Sequence, residues 1–422
     1  MLITILTMGS RGDVQPYLAL GLALKKNGAQ VRLVTLEAFA DFVRSLGLEC
    51  YPIPGDLAGV MNSAVADNAR QADNPLKFLL SFNELKKLGF AMQGHFFAAC
   101  QDADMIVYHP GLAIGYFTAQ ERGIPSVLAA PFPLAPTRTH PSLIFYDGPR
   151  LGGAYNLLTH RIFEQLFWMV SRGGVADFWK QKFGRLPTDF GSPFPRQTSA
   201  ARPTVVSCSP HVFAQAADFP PHVHHTGFWF LDDEPGWTPP AALTDFLERG
   251  PAPVYVGFGS IGDPKQAAQT ARTVAEALRQ TGQRGILATG WQGGSDETLP
   301  DSIFTLDSAP HAWLFPRMAA VVHHGGAGTT AAGLRAGVPS VVIPHGLDQP
   351  AWGRRVYELG VGAKPIPRRK LTAESLAEAI RFVLKSEIRE TAKSLGTKIQ
   401  TEDGVEAAAK IILSSFAALP AT

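Results

Sequence analysis

Residues 319–344 read AAVVHHGGAGTTAAGLRAGVPSVVIP. A valine-rich apolar run ends in His323 and His324, and Gly325, Gly326 and Gly328 follow within four positions. Thr329 and Thr330 then open a stretch with helical spacing, which Gly337 and Pro339 stop before a second β-branched run. Strand, glycine loop, helix and strand in that order are the repeating unit of a parallel sheet. Residues 104–131, DMIVYHPGLAIGYFTAQERGIPSVLAAP, repeat it: strand, histidine-containing glycine loop, helix, Gly-x-Pro, strand.

A second pair of passages also matches. LITILT (Leu2 to Thr7) is followed by the loop MGSRGD, by Val14, Leu18, Gly21 and Leu22 at helical spacing, by Asn27-Gly28, and by the strand QVRLVT. PVYVGF (Pro253 to Phe258) is followed by GSIGD, by an Asp263-Pro264 helix start, by the stripe Ala267, Ala271, Val274 and Leu278, and by RGILAT. Two matched landmarks per half predict two doubly wound α/β domains, each a parallel sheet covered by helices. We place the first at 1–227, a Pro-rich acidic linker at 228–240 and the second at 241–400. Residues 401–422 are read as a helix returning to the first domain.

Composition agrees with a two-core globular chain of 422 residues. Apolar residues are 45% and charged residues 18%, below the roughly 25% charged of an average domain, so disorder is excluded. The 41 glycines and 33 prolines have no period and mark tight connections. A net charge of +2 gives no basic stripe for nucleic acid. Cys50, Cys100 and Cys208 are too few and too scattered for a disulfide framework. No apolar run reaches the roughly 18 residues that span a bilayer, and MLITILTMGSRGD lacks a basic start and turns polar early. The expectation is a cytosolic protein, with peripheral membrane contact left open.

In doubly wound sheets ligands sit beyond the carboxyl ends of the strands, where these loops fall. Three glycines let backbone N–H groups face a guest, the helix start favours an anion, and His324 adds a donor. A phosphate or diphosphate fits, with Thr329 and Thr330 available as caps. Gly326-x-Gly328-x-x-Ala331, with Asp348 farther on, also fits a relaxed dinucleotide pattern, so an NAD-binding oxidoreductase is the alternative. Against it, the motif falls late in its domain. Asp348-Gln349 suits a grip on several hydroxyls. Asp13 reads as a helix N-cap, as a general base at the cleft mouth, or as both. His109 could assist it, or be structural.

Asp102-Ala103-Asp104 resembles a metal-holding pair but precedes its strand, at the end of the sheet away from the ligand side. His222, His224 and His225 lack a third metal ligand and read as a surface strand. No metal is expected. Phe78, Leu79, Leu80, Phe90, Phe96 and Phe97 crowd one insertion. Ile162, Phe163, Leu166, Phe167 and Trp168 lie on a helix within Arg161 to Val170, with Phe132 and Phe145 nearby. Any one of these fills a core in the ordinary way. Together they exceed what a short insertion buries, and they predict a groove for a bulky hydrophobic acceptor, lined by Phe78, Phe96, Phe132, Phe145 and Phe167.

GSRGDVQP (Gly9 to Pro16), PVYVGFGS (Pro253 to Ser260), DSAPHAWLF (Asp307 to Phe315), HHGGAGTTAAGLRAGVP (His323 to Pro339) and DQP (Asp348 to Pro350) resemble family 1 glycosyltransferases of the GT-B fold. The branch they resemble is that of sterol 3-beta-glucosyltransferases and glycopeptide-antibiotic glycosyltransferases. The resemblance implies two Rossmann-like domains facing across a cleft, with the acceptor in the first and a nucleotide sugar in the second. It implies Asp13 as catalytic base. Donor contacts fall on Ser10, Gly12, Ser260, the segment Ser308 to His311 (Ala309 and His311 within it), His324, Gly326, Gly328, Thr329, Asp348 and Gln349. The implied reaction is inverting transfer of glucose from UDP-glucose, a co-substrate, to a hydrophobic acceptor, with no cofactor.

Overall fold

The computed structural model describes residues 1–55, 92–232, 236–258, 267–288, 299–346 and 348–417. Expectations placed on Phe78, Leu79, Leu80, Phe90, Ser260 and the Asp263-Pro264 helix start lie outside these residues. The chain forms two compact units: Met1–Leu231 with Glu402–Thr422, and Asp232–Thr401.

The first unit is built on seven parallel strands: β1 (Leu2–Leu6), β2 (Gln30–Leu36), β3 (Glu49–Ile53), β4 (Met105–Tyr108), β5 (Ser126–Ala130), β6 (Thr204–Ser207) and β7 (Val223–Gly227). Their order is β3-β2-β1-β4-β5-β6-β7, with Ile3 opposite both Val31 and Met105. A parallel sheet is covered on both faces, so its middle strands read as unbroken apolar runs. Ile3, Ile5, Val107, Val127 and Val205 share one core with Val14, Leu18 and Leu20 of the helix Arg11–Lys26. The helix Gly404–Ala417 adds Ala408, Ala409 and Ile412 to that core.

The second unit has five parallel strands: β8 (Val254–Gly257), β9 (Gly285–Ala288), β10 (Ile303–Leu306), β11 (Ala320–His323) and β12 (Ser340–Val342). Their order is β10-β9-β8-β11-β12. One face packs on the helices Ala267–Thr281 and Ala373–Val383 through Val274, Leu278, Leu376 and Ile380. The other face packs on Leu314 and Phe315.

In each sheet the strand order reverses once, between β1 and β4 and between β8 and β11. There the connections leave in opposite directions and open a crevice at the carboxyl ends. The matched passages of the sequence are the two flanks of these switch points. The helices Ile114–Arg122 and Ala327–Ala336 both end on a left-handed glycine, Gly123 at φ 67° and Gly337 at φ 68°. Proline follows two residues later in each and prevents continuation.

Three expectations change. The helix read over Arg161–Val170 runs from Gly153 to Phe183 and includes Gly173 and Gly174; a Cβ at Gly174 would come within 3.3 Å of the Gln93 side chain. Close packing keeps the small residue without breaking the helix. The first unit continues through Leu231 rather than stopping at Gly227, since buried Trp229 donates its indole N–H to Thr226 and its backbone N–H to Ser207 Oγ. The histidines at β7 are only in part a surface array: His222 is exposed and His224 half-buried. His225 turns inward, with Nδ1 3.0 Å from the Phe213 carbonyl, and burial pushes it down to about 4. Asp102 bonds the Arg32 guanidinium, and Asp104 accepts the backbone N–H of Leu2 at 2.7 Å. Both carboxylates serve the amino end of the sheet, the end away from the ligand side where the sequence placed them.

Candidate active site

In the first unit the loop after β1 brings Asp13 back onto its own helix start. Ser10, not Asp13, is the N-cap, and Asp13 is the third helical residue. Its Oδ2 accepts the backbone N–H of Ser10 at 2.7 Å and the Ser10 hydroxyl at 2.8 Å. Both bonds go to one oxygen, so Oδ1 keeps its lone pairs for another partner. Gly9 makes this possible. It sits at φ 135°, and a Cβ there would lie 2.4 Å from Asp13 Oδ2. Ser10 thus acts on Asp13, while Gly12 is exposed beside it in the first turn.

Across the switch point of the same sheet, His109 ends β4. Its Nδ1 accepts the Gly111 N–H at 3.0 Å, so in the neutral ring the hydrogen sits on Nε2. Burial pushes its pKa down to about 4, against the pull of the Asp13 carboxylate. With Nδ1 occupied by the Gly111 N–H and the hydrogen on Nε2, neutral His109 presents an N–H donor rather than a free lone pair.

From His109 a chain of rings leads away. Tyr17 lies edge-on at 6.1 Å and Phe132 at 6.3 Å. Phe132 stacks on Phe167 at 5.8 Å and meets Phe163 at 6.2 Å. Phe167 continues to Phe194. Ser171 ties the long helix to this loop by donating to the Gly111 carbonyl at 2.8 Å. Phe132 and Phe167 are half-buried and fit a groove wall. Phe96, 1% exposed, belongs to the core and lines nothing. Phe145 is half-buried on the turn Leu143–Phe145 and takes no part in the ring chain.

In the second unit the loop after β11 repeats this geometry. His323 Nδ1 accepts the Gly325 N–H at 3.1 Å. Gly325 stands at φ 90°, and a Cβ there would meet Val342 Cγ1 and the Gln349 carbonyl. The helix Ala327–Ala336 is capped by Gly326, not by Thr329 or Thr330. Thr330 instead turns its hydroxyl back to the Gly326 carbonyl at 2.8 Å. A glycine cap has no side chain to satisfy the first-turn N–H groups of Ala327, Gly328 and Thr329, and these stay available to an anion. His324 lies over Gly326, where a Cβ would meet Nε2 at 2.5 Å. Burial pushes His324 down to about 4, so the ring is neutral at pH 7.

The Asp348-Gln349 pair is more constrained than its sequence suggests. Asp348 Oδ2 accepts the indole N–H of fully buried Trp352 at 2.8 Å. Gln349 Oε1 accepts the His345 N–H at 2.7 Å, which leaves its NH2 to reach a ligand. His311 stacks on Phe315 at 4.2 Å and meets Tyr255 edge-on; Ala309 is half-buried beside them. Sequence reasoning missed Tyr17 and Trp352, although each follows its aspartate by one helical turn, the spacing at which side chains meet. Trp352→Phe removes one bond orienting Asp348. It is expected to raise the KM for a nucleotide sugar several-fold while changing kcat less; an unchanged KM would contradict that role.

His160, His225 and His324 are each held down to about 4 by burial, below the roughly 6.5 of an unfolded chain. The unfolded chain therefore takes up protons first as pH falls. The stability these neutral rings contribute is complete above about pH 6.5 and is lost as pH drops toward 4, by up to about 1.4 kcal/mol per pH unit per histidine. Tm measured by circular dichroism should fall steadily from pH 6.5 to 5. A level Tm over that window would rule the effect out.

Residues 3–141 match the glycosyltransferase family 28 N-terminal domain, and residues 286–411 match the erythromycin biosynthesis protein CIII-like C-terminal domain. A sterol 3-beta-glucosyltransferase of Arabidopsis thaliana is 36% identical over 97% of this chain, which spans 65% of that relative. One from Komagataella phaffii is 37% identical over 97% of the chain, which spans 34% of it. The chain thus covers about two thirds of the plant relative and a third of the fungal one. Among solved structures, a glycosyltransferase of kitacinnamycin gives a TM-score of 0.71 at 19% identity, covering 98% of this chain and 99% of that one. The calicheamicin glycosyltransferase CalG4 gives 0.66 at 21% identity, covering 100% and 99%. These structures share the two-sheet α/β fold. All the relatives named here are glycosyltransferases, which leaves the NAD-binding alternative without support.

Proposed function

The chain belongs to the GT-B glycosyltransferases, and from that premise we propose that it moves glucose from UDP-glucose to a hydroxyl of a bulky hydrophobic acceptor, a sterol or other terpenoid first and a flat polyphenol second. The observation that carries the reading is Asp13, a carboxylate oriented through one oxygen by Ser10. It stands at the switch point from which an aromatic chain runs through His109 and Phe132 to Phe167. A carboxylate beside an apolar wall suits a substrate with one hydroxyl on a large ring system. The plant and fungal relatives named as sterol 3-beta-glucosyltransferases support both the sugar and the acceptor.

In the reaction we infer, the acceptor oxygen forms its bond to the anomeric carbon as the bond from that carbon to the diphosphate oxygen breaks. Attack comes from the face opposite the nucleotide and inverts the centre. Asp13 takes the hydroxyl proton, which becomes acidic as the new bond forms, so an ordinary carboxylate suffices. The electron pair leaves on the diphosphate. The open N–H groups of the Gly326-capped helix and the neutral N–H of His324 would stabilise that charge without a metal ion. Asp348 and the Gln349 NH2 would hold the sugar hydroxyls.

The test is a mass-spectrometric screen with UDP-glucose in EDTA against sterols, carotenoid alcohols, flavonoids, macrolides and hydroxy-fatty acids, with TDP-glucose in parallel. A single added hexose on an apolar alcohol is the expected product. Glycosylation confined to small sugars or peptides would remove the hydrophobic acceptor, and turnover that needs added metal would remove the metal-free mechanism.

A further inference from the structure

Eight large apolar side chains are exposed among the described residues, and five of them, Leu151, Leu158, Ile162, Met169 and Leu186, sit on or beside the helix Gly153–Phe183. Scattered exposed leucines are ordinary, but a concentration on one element marks a contact surface. Winding at 3.6 residues per turn puts Leu158, Ile162, Met169 and Ala176 within about 40° of one another. They form one line along the outside of the helix. Leu158 is 58% exposed and Met169 45%.

Charge flanks this line. Arg161 and Arg172 lie on one side of it, and Lys180 closes its end. Arg161 is paired with Glu164. Arg172 and Lys180 have no carboxylate partner among the described residues. Asp177, the exposed acid of the helix, is turned about 100° from Leu158. Met169, Ala176, Leu186 and Phe190 line a shallow groove of about 360 Å³, with Arg172 and Lys180 at its rim. An apolar floor with unpaired cations at the edge complements a lipid whose phosphate lies above its acyl chain. No described helix is long and apolar enough to cross a membrane, so this helix would lie on a bilayer rather than span it.

We propose that the outer face of the Gly153–Phe183 helix docks on an anionic phospholipid surface, with Leu158, Ile162 and Met169 entering the headgroup boundary and Arg172 and Lys180 meeting the phosphates. The contact needs neither nucleotide sugar nor acceptor and stands apart from the reaction proposed above.

Vesicle flotation of the full chain tests it, with phosphatidylcholine alone and with about 30% phosphatidylglycerol, where one juxtamembrane cation is worth about five-fold in partitioning. The wild type is expected to float with anionic vesicles only and to be released by high salt, because the attraction is screened. Arg172→Gln and Lys180→Gln should each cost about five-fold, and Leu158→Gln with Met169→Gln should abolish flotation. If the apolar double variant has lost its Tm, the single cation variants and the salt titration decide. Equal behaviour on both vesicle types, or variants that float like the wild type, would overturn the proposal. So would light scattering that shows a lipid-free dimer broken by the Leu158→Gln, Met169→Gln pair, since the occupant would then be a second copy.

Discussion

Asp13→Asn is expected to lower kcat/KM for glucosyl transfer by about 10²- to 10⁴-fold, the usual value of a positioned general base, with Tm close to wild type. The amide is nearly isosteric with the carboxylate. Its oxygen can still accept the Ser10 N–H and hydroxyl that Asp13 Oδ2 accepts now, so the helix start should survive. What disappears is the basic oxygen, because an amide cannot take the acceptor proton. Binding of UDP should be unaffected, since Asp13 belongs to the first unit and the proposed diphosphate contacts to the loop after β11. Initial rates with UDP-glucose, beside calorimetric titration of UDP, separate these effects. An Asn variant within a few-fold of wild-type activity would end the assignment.

Gly325→Ala should cost about 3 kcal/mol. At φ 90° an alanine adopts a backbone conformation that L-residues rarely visit, at roughly 1–2 kcal/mol. Its Cβ would also stand 2.7 Å from Val342 Cγ1 and 3.0 Å from the Gln349 carbonyl, an overpacking worth roughly 1–3 kcal/mol. Neither neighbour moves easily: Val342 ends a buried strand, and the Gln349 carbonyl lies at the start of its helix. The two terms act on one atom and do not simply add. For a unit of this size the loss corresponds to a Tm lower by about 6–12 °C. Moving Gln349 also shifts Asp348, so the donor KM should rise with it. An alanine variant with wild-type Tm would mean that the loop relaxes freely.

The sheets were legible because buried parallel strands leave β-branched runs, and the loops after β4 and β11 announce themselves by a histidine with a glycine two residues on. The chemistry of these loops was read one step too coarsely. Asp13 looks like a cap because aspartate caps well; the structure gives that position to Ser10 and turns Asp13 back upon it. Thr329 and Thr330 look like caps for the same reason, yet Gly326 takes the place and leaves the donors open. Trp352 and Tyr17 were passed over as core aromatics, which they are. The Trp352 N–H reaches the aspartate one turn earlier and the Tyr17 ring reaches His109 only because burial fixes both. The apolar run Arg161–Val170 marks only the middle of its helix, since no sequence pattern reveals that Gln93 packs against Gly174 farther on.

The helix Gly404–Ala417 fills part of the first unit's core with Ala408, Ala409 and Ile412, although Asp232–Thr401 intervenes in the chain. During synthesis the order of emergence therefore differs from the order of completion. Residues up to Leu231 leave the ribosome with the apolar flank of the Arg11–Lys26 helix uncovered, and the second unit is made in full before the piece that covers it. The nascent first unit must wait through those residues with exposed leucines, a period in which a holding chaperone would find its strongest grip.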